Sequence, residues 1–126
     1  AQSSQTLQLS PTWKLRSTIE PPQGLVTQTG GATTLNGWVV YRFGNLCQLV
    51  ITITTTGQVA HGYNAFTGWL TNAPMPIVYS TGLGYVYGST MASSIGDTGW
   101  IEVRNTGDEI GANAVIYVTI MYLTNG

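Results

Sequence analysis

The sequence predicts an all-β domain, an antiparallel β-barrel or jelly-roll-like sandwich of about eight short strands. Three observations predict it. Thr, Val, Ile and Tyr recur in short runs, sixteen glycines punctuate the chain, and no stretch carries apolar residues at helical spacing. The 126 residues suffice for one domain. We expect residues 13–126 to form it, after an extended lead-in or neck remnant over residues 1–12.

The first strand is expected at Trp13–Ile19, where alternate side chains differ in polarity. Pro21 and Pro22 end it, because proline cannot donate to a strand ladder. The polar, glycine-containing stretch that follows, up to Asn36-Gly37, predicts a long loop.

A β-hairpin is expected next, because two apolar β-branched runs flank Gly44-Asn45 within residues 37–54. In its second arm one set of alternate residues is apolar and the other is mostly polar. The apolar set is Cys47, Leu49, Ile51 and Ile53. The sequence therefore places this face, including the single cysteine, in the core.

Shorter strands are expected at Ala65–Leu70, near Ile77–Ser80 and at Tyr85–Met91, with a proline-bracketed loop between the first two. Trp100–Asn105 alternates again, which predicts a half-exposed strand.

The last strand, Ala114–Leu123, is apolar on both faces. A closing strand of this kind needs the core on one face and another partner on the other. Charged residues make up only 7% of the chain, against roughly 25% in an average domain. Together these features predict a homo-oligomer, most simply a homotrimer packed around this strand.

Charge and composition also argue against nucleic acid and membranes as partners. The net charge of -1 provides no basic field for nucleic acid or an anionic membrane. No apolar run reaches the roughly 18 residues of a membrane-spanning helix. The start, AQSSQTLQLS, lacks the basic and apolar regions of a signal peptide. We therefore expect a soluble chain.

Catalytic chemistry finds little support. His61 is the only histidine, no Gly-x-Ser-x-Gly elbow is present, and one histidine with one cysteine gives no zinc spacing. A calcium site that uses the carboxylate of Asp97, Asp108 or Glu109 remains an alternative. A glycosidase would need two carboxylates, such as Asp97 and Glu102. Pairing of Glu102 with Arg104 along one strand face is the simpler expectation, so we expect no enzyme.

Aromatic residues point instead to binding. Trp38 and most tyrosines are expected in the core, whereas Trp69 and Trp100 are expected to offer indole faces on which a sugar ring stacks. Nearby polar side chains would bind its hydroxyls. The candidate ligand-binding residues are Trp100, Glu102, Arg104, His61, Tyr63, Trp69 and Asp97.

Residues 35–123 resemble the C-terminal head domains of receptor-binding proteins from tailed phages of Gram-positive hosts, notably the lactococcal phages. The resemblance rests on the Gly37-Trp38 start, the Arg-containing aromatic strand, Gly44-Asn45-Leu46 at the turn, the Val/Ile/Thr strand after it and the apolar closing strand.

The resemblance implies a trimeric β-barrel head at the tail tip or baseplate of the virion that binds host cell-wall saccharide without cofactor or catalysis. It also implies contact with other phage tail proteins. The main alternative is a structural baseplate or fibre module that binds only those proteins. A glycan-degrading enzyme and a trimeric ligand of the tumour-necrosis-factor type are weaker alternatives.

Overall fold

A computed structural model describes residues 24–125. The expected lead-in over residues 1–12 and the strand at Trp13–Ile19 lie outside the described residues. In the described part the chain forms eight β-strands and no helix. The strands are β1 (Leu25–Gly30), β2 (Thr33–Phe43), β3 (Leu46–Thr55), β4 (Asn64–Thr71), β5 (Ser80–Val86), β6 (Ser89–Ile95), β7 (Trp100–Asn105) and β8 (Val115–Leu123).

All eight strands belong to one antiparallel sheet in the order β1-β4-β7-β6-β5-β8-β3-β2. The sheet curls into a nearly closed barrel, which confirms the predicted all-β antiparallel barrel. Because successive strands run in opposite directions, the connections alternate between two ends of the barrel. We call the end with the β1–β2, β3–β4, β5–β6 and β7–β8 connections the upper end and the other the lower end.

The β2–β3 hairpin confirms the sequence prediction, including its turn at Gly44-Asn45. Gly44 takes a positive φ of 63°, a conformation that favours glycine because it has no Cβ. Val40 and Leu49 pair across the ladder, and both are buried. The hairpin therefore places the predicted face of its second arm inside the barrel.

The predicted long loop before Asn36 is wrong, because β1 and the first residues of β2 occupy most of it. Val26 is the only apolar β1 side chain that is buried, so the strand has little hydrophobic signature. The β1 and β2 edges form no ladder with each other and meet at the upper end. There Gln28 Nε2 donates to the carbonyl oxygen (2.9 Å) and Oγ1 (3.1 Å) of Thr33.

Two further strand predictions are wrong. Residues Ile77, Val78 and Tyr79 lie in the β4–β5 connection with exposed side chains, and β5 begins at Ser80. The expected strand Tyr85–Met91 is interrupted by a turn at Tyr87-Gly88, where Gly88 has a φ of 85°. Both segments have strand-forming composition, but the turn glycine and the proline-flanked connection determine the boundaries. The strands predicted at Ala65–Leu70, Trp100–Asn105 and Ala114–Leu123 are confirmed within one residue or two.

The core is mainly aliphatic and fills the barrel interior. Cys47 is fully buried, as predicted, and Trp38 packs against the core while partly exposed. Most tyrosines, however, are not in the core: among the described residues, Tyr122 is the one buried tyrosine. Burial and the neighbouring Cys47 raise the pKa of Tyr122, whose hydroxyl donates to the carbonyl of Pro74 (2.7 Å).

The other tyrosines include several on an outer surface that we call the apolar face. It spans β2, β3, β5 and β8, and the last three contain no charged residue. The strand register makes the face continuous, since Tyr85 pairs with Tyr117, and Leu123 pairs with Leu46. Its exposed members are Tyr41, Leu46, Leu83, Tyr85, Val115, Tyr117, Met121 and Leu123. The prediction that the last strand is apolar on both faces is therefore confirmed.

Candidate functional site

Two indoles meet on the outer wall of the barrel where β4 pairs with β7. Trp69 and Trp100 are direct cross-strand partners, with ring centroids 4.8 Å apart in an edge-to-face arrangement. Such a pair contributes about 0.5–1.5 kcal/mol beyond its buried area, so it holds both rings in place. Trp69 is 39% exposed and presents ring surface to solvent.

The carboxylate of Glu102 is oriented by this indole pair. Trp100 Nε1 donates to Glu102 Oε2 at 2.9 Å, two residues along the same strand face. The expected ion pair between Glu102 and Arg104 does not form, and Glu102 instead accepts a hydrogen bond from the indole N–H. Within residues 24–125 the Arg104 side chain makes neither an ion pair nor a hydrogen bond, and it is exposed. Its guanidinium donors are therefore free for a ligand.

Glu102 and Arg104 also line a shallow groove of about 500 Å³ on the wall formed by β5, β6 and β7. The register sets Glu102 beside Ser94 and Ser94 beside Thr81, which forms one row of polar side chains across three strands. The remaining lining residues are Tyr79, Gly82, Ala92, Ser93 and Thr106. The indole pair adjoins the groove through Glu102 without lining it.

His61 and Tyr63 lie elsewhere, in the β3–β4 connection at the upper end. His61 Nδ1 donates to the carbonyl of Gly107 (3.0 Å), so the ring packs on the β7–β8 connection. Tyr63 lines a separate cavity of about 410 Å³. The expected set of His61, Tyr63 and Trp69 is therefore divided, since Trp69 lies with Trp100 near the lower end.

Asp97 lies in the β6–β7 turn at the lower end, exposed, whereas Asp108 and Glu109 lie in the β7–β8 connection at the upper end. These three carboxylates cannot share one calcium ion. Across residues 24–125, no group of three or more His, Cys, Asp or Glu side chains is placed to hold a metal.

Charge is concentrated on one side of the barrel. Of the charged residues in the described segment, all except Arg42 fall between Asp97 and Glu109, on or beside β7. In the strand order β7 lies across the barrel from β3, which belongs to the apolar face. The charged residues thus lie around β7 and the apolar face centres on β3 and β8, while β5 contributes to both the groove and the apolar face.

The sequence did not indicate the hydroxyls of the groove. Thr81 and Ser94 are ordinary strand residues, and only the pairing of β5 with β6 and of β6 with β7 brings them beside Glu102. Their side-chain hydroxyls make no hydrogen bond to other described residues. The groove therefore offers one carboxylate, one guanidinium and several hydroxyls beside two indoles, a set suited to binding a hydroxyl-rich molecule.

A scan of protein-family models and a search of the curated proteins find no match to this chain. Within the described residues, no helix has the length and apolar character needed to cross a membrane. The fold and the groove define an antiparallel β-barrel with a shallow polar site on its wall.

Proposed function

We propose that this protein is the receptor-binding head of a tailed phage, and that it binds host cell-wall saccharide in the groove on β5, β6 and β7. The observation that carries the proposal is the row Glu102, Ser94 and Thr81, with Arg104 unpaired and the Trp69–Trp100 pair adjoining it. The protein acts by binding, without catalysis or cofactor, at the tail tip of the virion.

The groove chemistry matches a saccharide more closely than other ligands. Glu102 and the hydroxyls accept or donate to sugar hydroxyls, and Arg104 supplies two parallel donors. An open groove of about 500 Å³ buries little of any single ring, so each contact is weak, with Kd near millimolar, about -4 kcal/mol. Several heads on one tail tip compensate through effective concentration.

The apolar face supports assembly of several copies of this chain. A monomer rarely exposes a contiguous apolar patch larger than about 300–600 Å², whereas this face has eight large exposed side chains. A standard interface takes about 800 Å² from each partner, which side chains as exposed as Leu83 (77%) and Tyr85 (66%) provide. The face meets the groove at β5, where Leu83 and Tyr85 follow Thr81, so a homotrimer packed mainly through β3 and β8 leaves Glu102 and Arg104 on β7 open.

The first experiment is binding of the fluorescently labelled protein to a panel of Gram-positive cells, with soluble cell-wall saccharide as competitor. We expect binding to some strains, displaced by the saccharide. Trp100→Ala and Trp69→Ala should each weaken binding at least tenfold, because each removes one ring of the pair that orients Glu102. Tyr87→Ala, which removes an exposed aromatic ring outside the groove, is the matched control and should change binding less than twofold.

Light scattering after size exclusion tests the assembly in parallel. We expect a homotrimer, and Met121→Lys on the apolar face should dissociate it without unfolding the barrel, since Met121 is half exposed. A monomeric wild-type protein at micromolar concentration would contradict this part of the proposal.

The alternative function is a structural module that holds other tail proteins. The apolar face favours it as well, because that face would fit a different protein as readily as a second copy. No binding to any strain by a folded trimer would reject the adhesion proposal in favour of this one. Normal binding by both tryptophan variants would show that the indole pair takes no part in the site.

A further inference from the structure

The asparagine–glycine pair in β2 lies where the strand departs from regular pairing. Leu35 and Gly37 pair with consecutive residues of β3, so Asn36 between them has no partner of its own. This is a β-bulge, in which one strand carries an extra residue and its backbone bends away from the regular ladder. Within residues 24–125, β2 also forms no ladder on its other edge. The backbone at Asn36 is therefore less restrained than the rest of the strand.

The Asn36 side chain is exposed, and its two polar atoms have different surroundings. Oδ1 accepts a hydrogen bond from the Thr54 hydroxyl (2.5 Å). Nδ2 makes no hydrogen bond to any residue between 24 and 125. The donor on Oδ1 polarises the amide carbonyl and stabilises the negative charge that develops on this oxygen when Cγ is attacked. The nitrogen that would leave is not held.

The nucleophile nearest to this amide is the backbone nitrogen of Gly37. Because glycine has no Cβ, nothing crowds the five-membered ring that forms when this nitrogen reaches Asn36 Cγ. A Cβ built on Gly37 would meet no other atom of residues 24–125 within 4 Å, and Gly37 does not have a positive φ. Neither packing nor backbone conformation requires a glycine here, so Gly37 can be replaced without disturbing the barrel.

We propose that Asn36 is a self-modification site, at which the asparagine converts to aspartate and isoaspartate without an enzyme. The Gly37 nitrogen gives its proton to solvent and attacks Asn36 Cγ, the Cγ–Nδ2 bond breaks, and ammonia leaves. Water then opens the resulting succinimide at one of its two carbonyls. Opening at the main-chain carbonyl gives isoaspartate, in which the chain runs through the former side chain, and opening at the other gives aspartate. Water is the co-reactant, and no group is oxidised or reduced.

The product places a negative charge beside the apolar face. Thr54, which contacts the Asn36 side chain, pairs with Val115 in the β3–β8 ladder, and Val115 belongs to that face. The strands β3, β5 and β8 contain no charged residue. Modified copies should therefore pack less well against each other, because a carboxylate at an apolar interface loses hydration. This consequence rests on the homotrimer of the proposed function, whereas the modification itself does not.

The test is storage of the purified protein in warm, mildly alkaline buffer, with its tryptic peptides followed by mass spectrometry. Residues 17–42 form one peptide, in which Asn36 is the sole asparagine. We expect this peptide to gain the mass that replacement of an amide NH2 by OH adds, and an isoaspartate methyltransferase to label it. Asn45 and Asn113 are exposed but precede leucine and alanine, and each should react at least tenfold more slowly than Asn36.

The same reaction in the urea-unfolded protein gives the rate without the fold. The native rate at Asn36 should lie within tenfold of this rate, because the bulge and the open edge let the backbone reach the cyclic geometry. Gly37→Ala should slow the reaction at least tenfold and leave Tm unchanged. Asn36→Gln keeps an amide but requires a larger ring, so it should stay unmodified. Asn125, which also precedes a glycine, lies in a different tryptic peptide and does not interfere.

Two results would overturn the proposal. A native rate more than tenfold below the unfolded rate would mean that β2 protects Asn36 despite the bulge, and an unchanged rate in Gly37→Ala would mean that the mass gain does not arise at this pair. Light scattering of fresh and stored protein tests the consequence for assembly. Stored wild-type protein should lose trimer and stored Asn36→Gln should keep it, and equal loss would reject the effect on packing. A fresh wild-type protein that is monomeric would reject the homotrimer, and the mass measurement would still decide the site.

Discussion

Asn105 provides the most direct test of how the upper end is held together. The side chain is fully buried at the end of β7. Its Nδ2 donates to the carbonyls of Val59 (2.9 Å) and Asp108 (3.0 Å), and its Oδ1 accepts from the N–H of Gly107 (2.9 Å) and the hydroxyl of Ser89 (3.0 Å). One amide therefore satisfies the polar groups of two connections at once.

The cost of Asn105→Ala follows from these contacts. Each buried hydrogen bond contributes about 1 kcal/mol net, and a partner left unsatisfied costs about 1–3 kcal/mol. All four bonds are lost, but Ser89 and the carbonyls of Val59 and Asp108 each keep another hydrogen bond, so the N–H of Gly107 is the one partner left without any. We expect a loss of about 3–5 kcal/mol in the free energy of unfolding. A domain of this kind has about 5–15 kcal/mol in total, so the variant should still fold.

The assay is urea unfolding followed by tryptophan fluorescence. With a slope of about 1–3 kcal/mol/M, the midpoint should fall by about 2 M, with the slope itself unchanged. Asn36→Ala is the matched control, since the Asn36 side chain accepts one exposed hydrogen bond, from Thr54 (2.5 Å). It should cost less than about 0.5 kcal/mol. A loss below about 1 kcal/mol in Asn105→Ala would show that this amide does not hold the two connections together.

Three further changes test other parts of the barrel. Gly82→Ala places a Cβ 2.1 Å from the carbonyl oxygen of Thr119 on the neighbouring strand, so β5 must shift; we expect a loss above about 2 kcal/mol by urea unfolding, and full stability would contradict the close packing. Thr55→Val keeps the shape of a buried side chain but removes two hydrogen bonds to backbone groups (2.7 and 2.8 Å), which should lower the free energy of unfolding by about 2 kcal/mol; a change within about 0.5 kcal/mol would show that neither bond matters. Because the pKa of Tyr122 is raised above its ordinary value of 10.0, the folded state holds this proton more tightly than the unfolded state. The free energy of unfolding should therefore be at its full value below about pH 10 and decline above it. Tyr122→Phe should reduce that decline, and an equal fall of Tm with pH in both proteins from about pH 9 to 11 would refute the prediction.

The barrel and its central hairpin were predictable because the signal there is strong. Alternation at Cys47–Ile53 and at Trp100–Asn105 reflects one buried and one exposed face, which is what the fold requires. β1 was not predicted because it has little apolar pattern. Hydrogen bonds from Gln28 and Thr33 help to fix it in place, whereas few of its apolar side chains are buried. The boundary at Tyr87-Gly88 was missed because a tyrosine at that position has strand propensity while the turn depends on the glycine.

The site was predictable in part. Trp100, Glu102 and Arg104 share a strand, so their common face follows from spacing alone, whereas the meeting of Trp69 with Trp100 depends on which strands pair. The tyrosines were misplaced because strand propensity does not distinguish an inward from an outward face when both are apolar.

The alternation of the connections between the two ends fixes how the barrel is tethered. The described chain enters at Gly24 beside the start of β1 and leaves through Thr124 after β8, and both points lie at the lower end. Any segment joined at either point therefore attaches beneath the barrel. The upper end, with Tyr63 and its cavity, lies at the opposite end of the barrel from both of these points.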